Sequence, residues 1–213
     1  MLSTTVLVCA GLLGHFTAKH FTHLVQFITP DSSVYSAQPD WLIEGTPFTP
    51  IEWKELIPKD EIAVIQKYQT KPAVTVNDLT QQILNSIEAS GDLEYQQTLV
   101  STNTVESMVN TNVKISGFVV PIDFYASKNP KFIFIVPYFG ACIHFPPPPP
   151  NQMFFVKLED TFTEFDINQA YTFTGKINIA LFEDMLGTSA YSMDVNIIKK
   201  FYGEPDTFRN HQN

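Results

Sequence analysis

The chain contains very little arginine. Arg209 is its single arginine, and 13 Lys and Arg residues stand against 22 Asp and Glu in 213 residues, which gives a formal net charge of −9. Nucleic-acid binding depends on neutralising phosphates, and the bidentate arginine fork is well suited to it. We therefore expect no DNA or RNA partner.

Cysteine is almost as scarce. Cys9 lies in an apolar N-terminal stretch, and Cys142 lies in a proline-rich segment. If the N-terminal stretch is removed, Cys142 has no partner within the chain. An unpaired cysteine in an exported protein indicates a metal ligand, a reactive thiol or an intermolecular bridge, and a buried structural thiol is the simpler alternative. The sequence has no Cys-x-x-Cys pair, so dithiol redox exchange is not expected.

Familiar catalytic motifs are missing as well. The sequence has no Gly-rich phosphate loop, no His-Glu-x-x-His and no Gly-x-Ser-x-Gly. We therefore predict a protein that is not an enzyme. A thiol enzyme with Cys142 as its nucleophile is the alternative, although His144, two residues away on a proline-stiffened segment, is poorly placed as its base.

The apolar run at the N-terminus, Leu2 to Gly14, is too short to span a bilayer, which takes roughly 20 residues. Its length fits the h-region of a signal peptide, although the first basic residue, Lys19, follows the run instead of preceding it. Small residues for cleavage occur at Val34–Ala37. Residues 1–37 are therefore predicted to be a leader, acting as a signal peptide or an anchor. We expect a periplasmic or otherwise exported protein, which contacts the membrane only through this leader if it is retained.

Aromatic residues are abundant, whereas glycine is scarce. The chain has 18 Phe and 8 Tyr but only 9 Gly, a composition that favours a core of aromatic-bearing strands. Before those strands, residues 38–60 are rich in Pro and Trp and predict an extended strap that packs on the main body, with a helical turn at Trp53–Pro58.

The clearest helix is predicted over residues 77–89. Apolar residues recur there at helical spacing, and Gly91 follows as a stop signal. We expect this apolar stripe, formed by Leu79, Ile83, Leu84 and Ile87, to pack against the rest of the protein.

From residue 113 the apolar period changes to that of strands. Five strands are predicted, at 113–124, 131–136, 153–158, 170–182 and 191–198, with Gly117 marking a bend in the first and a helical turn at 183–187 joining the last two. We predict a mainly β fold, an OB-like five-stranded antiparallel barrel over residues 101–205. The strap and helix occupy residues 38–100, and residues 206–213 form a tail.

The most specific segment spans residues 137–152. Cys142 and His144 lie two residues apart and are followed by the five prolines 146–150. In an extended backbone, residues i and i+2 point to the same side, so the thiolate and the imidazole are predicted to bind one metal ion. A soft thiolate with an imidazole favours zinc or copper. The other histidines lie in the leader or the tail, so a further ligand is expected from a carboxylate such as Asp123, or from a second protein.

Two other interpretations of this segment stay open. In the first interpretation the segment is structural: the Cys142 thiol packs in the barrel and the His144 imidazole bonds a backbone carbonyl. The prolines themselves either bind an aromatic groove on a partner or act as a stiff spacer. The residues predicted to bind a partner or to brace the loop are Tyr138, Phe139, Pro146, Pro147, Pro148, Pro149, Pro150 and Asn151.

Four segments together resemble a known family. They are Trp53–Pro58, Ile115–Ile122, Val136–Gln152 with its Phe-Gly-Ala-Cys-Ile-His and pentaproline-Asn-Gln sequence, and Ser189–Met193. These segments are similar to those of a family of exported bacterial proteins of unknown function, over about residues 50–200.

The resemblance implies a function in the cell envelope. Members of that family are often encoded beside ABC-transporter components, and some are under zinc control. It therefore implies a non-enzymatic accessory protein that binds zinc or copper and works with envelope transporter components. The alternative is an OB-like protein-interaction module in which Cys142, His144 and the proline loop are structural.

Overall fold

A computed structural model describes residues 33–37, 45, 47–68, 75–140 and 148–206. From Val34 onward the described residues belong to one compact unit. In this part of the chain no helix is both long enough and apolar enough to cross a membrane.

Five strands close into a barrel. They are β3 (Asn112–Phe124), β4 (Pro130–Val136), β5 (Phe154–Lys157), β6 (Tyr171–Asp184) and β7 (Gly187–Lys200). The ring runs β3–β4–β5–β7–β6 and returns to β3. Two short strands extend it at the edges: β1 (Tyr35–Ser36) pairs with β7, and β2 (Thr49–Pro50) pairs with β3. The predicted mainly β fold with an OB-like five-stranded barrel is confirmed.

The barrel differs from the prediction in one strand pair. β5 and β7 run parallel, with Phe154 opposite Tyr191 and Phe155 opposite Ser192, whereas the other pairs of the ring are antiparallel. A closed ring with an odd number of strands cannot alternate its direction throughout. One parallel pair is therefore required, and the sheet is mixed.

The core of the barrel is aromatic. Inward-facing residues alternate along the strands, as the period of two requires. Tyr171 meets Phe162 edge-on with ring centroids 5.4 Å apart, and Phe154 lies 5.7 Å from both Trp53 and Tyr191. The largest fully buried side chains are Trp53, Tyr171, Tyr191, Phe134, Phe154, Phe162 and Phe173.

Gly117 stands where β3 changes its partner. Up to Gly117 the strand pairs with β6, and from Phe118 it pairs with β4. A Cβ on Gly117 would lie 2.7 Å from the Val136 carbonyl oxygen and 3.0 Å from Cζ2 of Trp53. The absence of a side chain therefore allows the strap tryptophan to pack directly on the turning point of the strand.

Three α-helices lie between the strap and the barrel: α1 (Lys59–Lys67), α2 (Val76–Gly91) and α3 (Leu93–Thr98). The predicted helix corresponds to α2. Thr75 caps it, because its hydroxyl accepts a hydrogen bond from the Asp78 N–H while the Asp78 carboxylate accepts one from the Thr75 N–H. The predicted helical turn of the strap is also present, as a 3-10 turn at Trp53–Leu56.

Asp92 joins the three helices. Its carboxylate accepts hydrogen bonds from Nζ of Lys67 at 2.9 Å and the hydroxyl of Tyr68 at 2.7 Å, both just at or beyond the end of α1. The same carboxylate caps α3 through the N–H groups of Glu94 and Tyr95. The hydrogen bond from Lys67, followed by that from Tyr68, lowers the pKa of Asp92 well below its ordinary value.

The predicted packing of the α2 apolar stripe is wrong for the described residues. Leu79, Ile83, Leu84 and Ile87 are 51%, 54%, 52% and 63% exposed. Ala89, on the opposite side of the helix, is 8% exposed. The helix therefore turns its polar side toward the protein.

The predicted helical turn at residues 183–187 is also wrong. The ladder between β6 and β7 continues through Glu183 opposite Thr188 to Asp184 opposite Gly187, so the two strands form a tight hairpin. Phe182 stacks on Phe155 of β5, with ring centroids 3.8 Å apart. Ladder hydrogen bonds and this ring contact outweigh the local helical tendency of the short acidic segment.

Residues considered for leader cleavage lie within the fold. Val34 and Ala37 donate backbone hydrogen bonds to Ile198 and Asn196 of β7, at 2.8 and 2.9 Å. Tyr35 between them is 4% exposed and contacts Phe162 edge-on. The segment 34–37 therefore contributes both ladder bonds and core area.

The close approach at Gly117 gives a test of the strap packing. We expect Gly117→Ala to lower the free energy of unfolding by about 1–3 kcal/mol, because the added methyl group overpacks a site bounded by backbone and by a buried indole. Denaturant unfolding followed by tryptophan fluorescence measures this change.

Gly91→Ala is the matched control, since a Cβ there has no atom within 4 Å. At the end of α2 it should be neutral or stabilise the protein by about 0.5–1 kcal/mol. A Gly117→Ala protein as stable as this control would contradict the packing described here.

Candidate functional site

Trp53 connects the strap to two of the specific segments. Its indole Nε1 donates a hydrogen bond to the Ser116 carbonyl at 2.7 Å, and its own carbonyl accepts one from Nε2 of Gln152 at 2.9 Å. Trp53 is 1% exposed and Gln152 is fully buried. We call this set, Trp53, Ser116 and Gln152, the Trp53 junction. It holds the end of the proline segment against both the strap and β3.

Glu61 of α1 carries a buried carboxylate at the centre of a second set of contacts. Its Oε1 accepts hydrogen bonds from Ser101 Oγ at 2.6 Å and from Asn103 Nδ2 at 2.7 Å, and its Oε2 accepts one from Asn151 Nδ2 at 3.0 Å. Glu61 is 7% exposed. Within the part of the chain that the structure describes, no cation lies at ion-pair distance from it. We call these four residues the Glu61 cluster.

Three neutral donors are enough to hold a buried carboxylate when each one is well placed. A carboxylate has about four acceptor positions, and three are used here. The Glu61 cluster therefore fixes Asn151 as firmly as the Trp53 junction fixes Gln152. Both residues follow the pentaproline directly, in the 3-10 turn Pro150–Gln152.

Tyr191 brings in the last of the four specific segments. Its hydroxyl donates to the Leu56 carbonyl at 3.1 Å and accepts from the Val105 N–H at 2.6 Å. The ring is fully buried. Burial raises the pKa of this phenol above its ordinary value, so it stays neutral and can serve as donor and acceptor at once.

Within the part of the chain that the structure describes, two buried side-chain oxygens have no hydrogen-bond partner: Gln152 Oε1 and Ser189 Oγ. Gln152 lies in the 3-10 turn Pro150–Gln152, which packs against β7, and Ser189 lies in β7 opposite Phe182 of β6. A nucleophilic serine needs a base within hydrogen-bond distance. Among the described residues, no such base lies within hydrogen-bond distance of the Ser189 hydroxyl.

The predicted metal ligands Cys142 and His144 lie outside the described residues, as do Pro146 and Pro147. The neighbouring segments are described. Pro137 is buried before them, and Pro148 and Pro149 are buried after them. The assignment of Cys142 and His144 to a metal therefore stays a prediction.

Of the predicted bracing residues, Phe139 contacts Phe118 of β3 edge-on at 5.7 Å. Tyr138 is half-buried and packs against the smaller core cluster with Phe134 and Val136. Pro150 is half-buried, and Asn151 is 1% exposed. These residues bind the segment to its own chain.

Asp123, the suggested further ligand, lies at the other end of the β3–β4 ladder. Val136, which precedes the proline segment, pairs with Phe118, whereas Asp123 pairs with Phe132. Five residues of strand separate Phe118 from Asp123, about 17 Å. The Asp123 carboxylate is half exposed and lies 3.5 Å from Nζ of Lys131. No group of three or more His, Cys, Asp and Glu side chains within the described residues is arranged to hold a metal ion.

A cleft of about 400 Å³ opens between α1, α3 and the segment that follows α3. Three carboxylates face it, and one of them is Glu61. Its lining residues are Asp60, Glu61, Val64, Glu94, Gln97, Thr98, Val100, Ser101, Thr102 and Asn103. Neither this cleft nor the role of Glu61 follows from the sequence patterns discussed above. The polar Ser101-Thr102-Asn103 run is the one local signal for it.

The fold and these contacts define a mainly β protein of the OB-like barrel class. The chain belongs to the family described as "Protein of unknown function (DUF3299)", whose model matches residues 53–200. Its fold is similar to the crystal structure of a DUF3299 family protein from Pseudomonas aeruginosa, at a TM-score of 0.53 and 24% identity, covering 74% of this chain and 99% of that one. A comparison with curated proteins finds no match.

The Glu61 cluster gives a second test. We expect Asn151→Ala to lower the free energy of unfolding by about 1–3 kcal/mol, because it removes one of three donors from a buried carboxylate. Denaturant unfolding measures the change, and a double-mutant cycle with Glu61→Ala isolates the pair.

The chain offers a matched control with the same chemistry at the surface. Asn178 Nδ2 donates to the exposed Asp194 carboxylate at 2.9 Å. Asn178→Ala should change stability by less than about 0.5 kcal/mol. Equal losses from the two substitutions would contradict the central place given to Glu61.

Proposed function

We propose that the chain is a non-enzymatic protein-interaction module, in which the proline segment is part of the architecture. The observation that carries this proposal is the anchoring of residues 148–152. Pro148 and Pro149 are buried, Asn151 bonds Glu61, and Gln152 bonds Trp53. Proline rings that face the protein's own interior are not available to an aromatic groove on a partner.

The four specific segments support the same conclusion. Trp53 bonds Ser116 and Gln152, and Tyr191 bonds the backbone groups of Leu56 and Val105. Such bonds set the shape of the scaffold and leave binding to the surface. The resemblance to envelope proteins favours an exported location and transporter components as partners, and both remain part of the proposal.

Photo-crosslinking in the native cell tests the proposal. A photoreactive phenylalanine analogue is introduced at the exposed positions Leu79, Leu93, Leu181 and Phe139, one at a time, with exposed Glu204 as the control position. At least one apolar position should yield a discrete protein adduct that Glu204 does not yield. Cys142→Ser and His144→Ala should leave the adduct unchanged. If none of the four positions yields an adduct, the proposal is wrong.

A metal-binding accessory protein is the second candidate. The observation that favours it is the fixed position of both flanks of residues 141–147: buried Pro137 lies before them and buried Pro148 after them. A loop held at both ends loses less conformational entropy when two of its side chains bind one ion. Zinc or copper suits the Cys142 thiolate and the His144 imidazole.

Metal analysis of the full chain decides this candidate. We expect about one zinc or copper per chain, with loss of the metal from Cys142→Ser and His144→Ala. Asp123→Asn tests the suggested carboxylate ligand: loss of the metal from this variant as well would make Asp123 a third ligand, and retention would exclude it. A wild-type protein that binds neither metal after incubation with each would eliminate the candidate.

A further inference from the structure

α2 is an amphipathic helix that exposes its apolar side and turns its polar side toward the protein. Its apolar residues recur at helical spacing on the side that faces solvent, whereas half-buried Gln82 and Asn85 and buried Ala89 face the protein. Val76 at its start is 80% exposed. The exposed apolar residues, which we call the α2 face, are Val76, Leu79, Ile83, Leu84 and Ile87.

An apolar stripe of this length is unusual on the free surface of a globular protein. Scattered single hydrophobic residues are normal, but a contiguous set marks a docking surface. Leu93, two residues beyond the end of α2, is 78% exposed and adds to the apolar area near the helix junction. The five residues of the α2 face lie within about three turns, which is the length that an amphipathic helix contacts in a groove.

Acidic residues outnumber basic ones around the α2 face, since residues 59–98 contain six Asp and Glu and three Lys. Between Thr75 and Val113 the sequence contains no lysine or arginine. Glu88 and Asp92 lie 3.8 and 2.9 Å from Nζ of Lys67. Glu94 is exposed, and no cation among the described residues lies at ion-pair distance from it. The electrostatic potential of this region is therefore negative.

The cleft beside α3 is also lined by negatively charged residues, and its shape suits a basic side chain. Carboxylates of Asp60, Glu61 and Glu94 line it, and Val64 and Val100 supply aliphatic walls. A lysine or arginine side chain has an aliphatic stem and a cationic head, which match such walls and carboxylates. No α2 residue lines this cleft, but α3, which forms one of its sides, packs against α2, so the negative charge lies one helix away from the α2 face.

We propose that the α2 face docks a basic amphipathic helix of a partner protein, with the acidic residues of α1 and α3 selecting its positive charge. The proposal rests on the proposed interaction function and names its surface. A second copy of this chain would bring a further net charge of −9, and an anionic membrane would also be repelled. A basic helix satisfies both the apolar and the charged part of the surface.

A synthetic peptide tests the proposal directly. The probe is an 18-residue helical peptide with leucines on one side and lysines on the other, and its analogue has glutamate in place of lysine. Fluorescence anisotropy with the full chain should show binding of the basic peptide and at least tenfold weaker binding of the acidic one. Ile83→Gln combined with Ile87→Gln should weaken the basic peptide about tenfold or more. Asp60→Asn combined with Glu94→Gln should weaken binding of the basic peptide about threefold to tenfold and reduce the salt dependence of that binding.

The matched control is Ile179→Gln with Leu181→Gln, at positions that are 44% and 61% exposed on the β6–β7 hairpin. This variant should bind the basic peptide as the wild type does. Circular dichroism confirms that each variant keeps its helices, so that a loss of binding is not a loss of folding.

Several results would overturn the proposal. They are no binding of the basic peptide, equal binding of both peptides, or binding that is insensitive to the α2 changes. Binding of phosphatidylglycerol vesicles through Ile83 and Ile87 would show a membrane surface instead. A dimer seen by sedimentation and dispersed by the same changes would show self-association. Crosslinks from Leu181 or Phe139 without any from Leu79 would refute this surface while leaving the interaction function standing.

Discussion

The hydrogen bonds through Trp53 hold together parts of the chain that are far apart in sequence. The indole bonds β3 at Ser116, and the backbone carbonyl of the same residue receives the side chain of Gln152, 99 residues later. The bond to Gln152 is buried and the bond to Ser116 is partly buried, and Trp53 itself is 1% exposed, so losing either bond leaves a polar group of a buried residue without this partner. The strap, the bend at Gly117 and the end of the proline segment depend on this one residue.

The strands could be predicted because their pattern is local. Alternation along 113–124 or 170–182 shows directly which side chains face inward, and the barrel follows from five such runs. The one parallel pair can be predicted from the number of strands alone, because a closed ring of five strands cannot alternate in direction throughout. The hairpin at 183–187 could not be predicted, because an acidic pair beside Met185 and Leu186 is equally compatible with a helical turn. The contact between Phe182 and Phe155 decides it, and that contact is tertiary.

The site was predictable only in part for the same reason. Asn151 and the prolines are conspicuous in the sequence, but Glu61 is one glutamate among many. Its partners lie 40, 42 and 90 residues away, so no local pattern marks it. The orientation of α2 is a similar case. Helical spacing identifies an apolar side but does not say whether a neighbour covers it, and here the polar side with Asn85 and Ala89 is the less exposed one.

The parallel pairing of β5 and β7 has a consequence for the motion of the barrel. Its register comprises two residue pairs, Phe154 with Tyr191 and Phe155 with Ser192, whereas β6 and β7 share a ladder that runs the whole length of both strands. The seam between β5 and β7 is thus the shortest part of the closed hydrogen-bond circuit, and it joins segments far apart in the chain. Cooperative opening begins where the fewest bonds must break. We therefore expect local opening of the barrel to begin at this seam, beside the 3-10 turn Pro150–Gln152, and its backbone amides to exchange with solvent before those of the β6–β7 ladder.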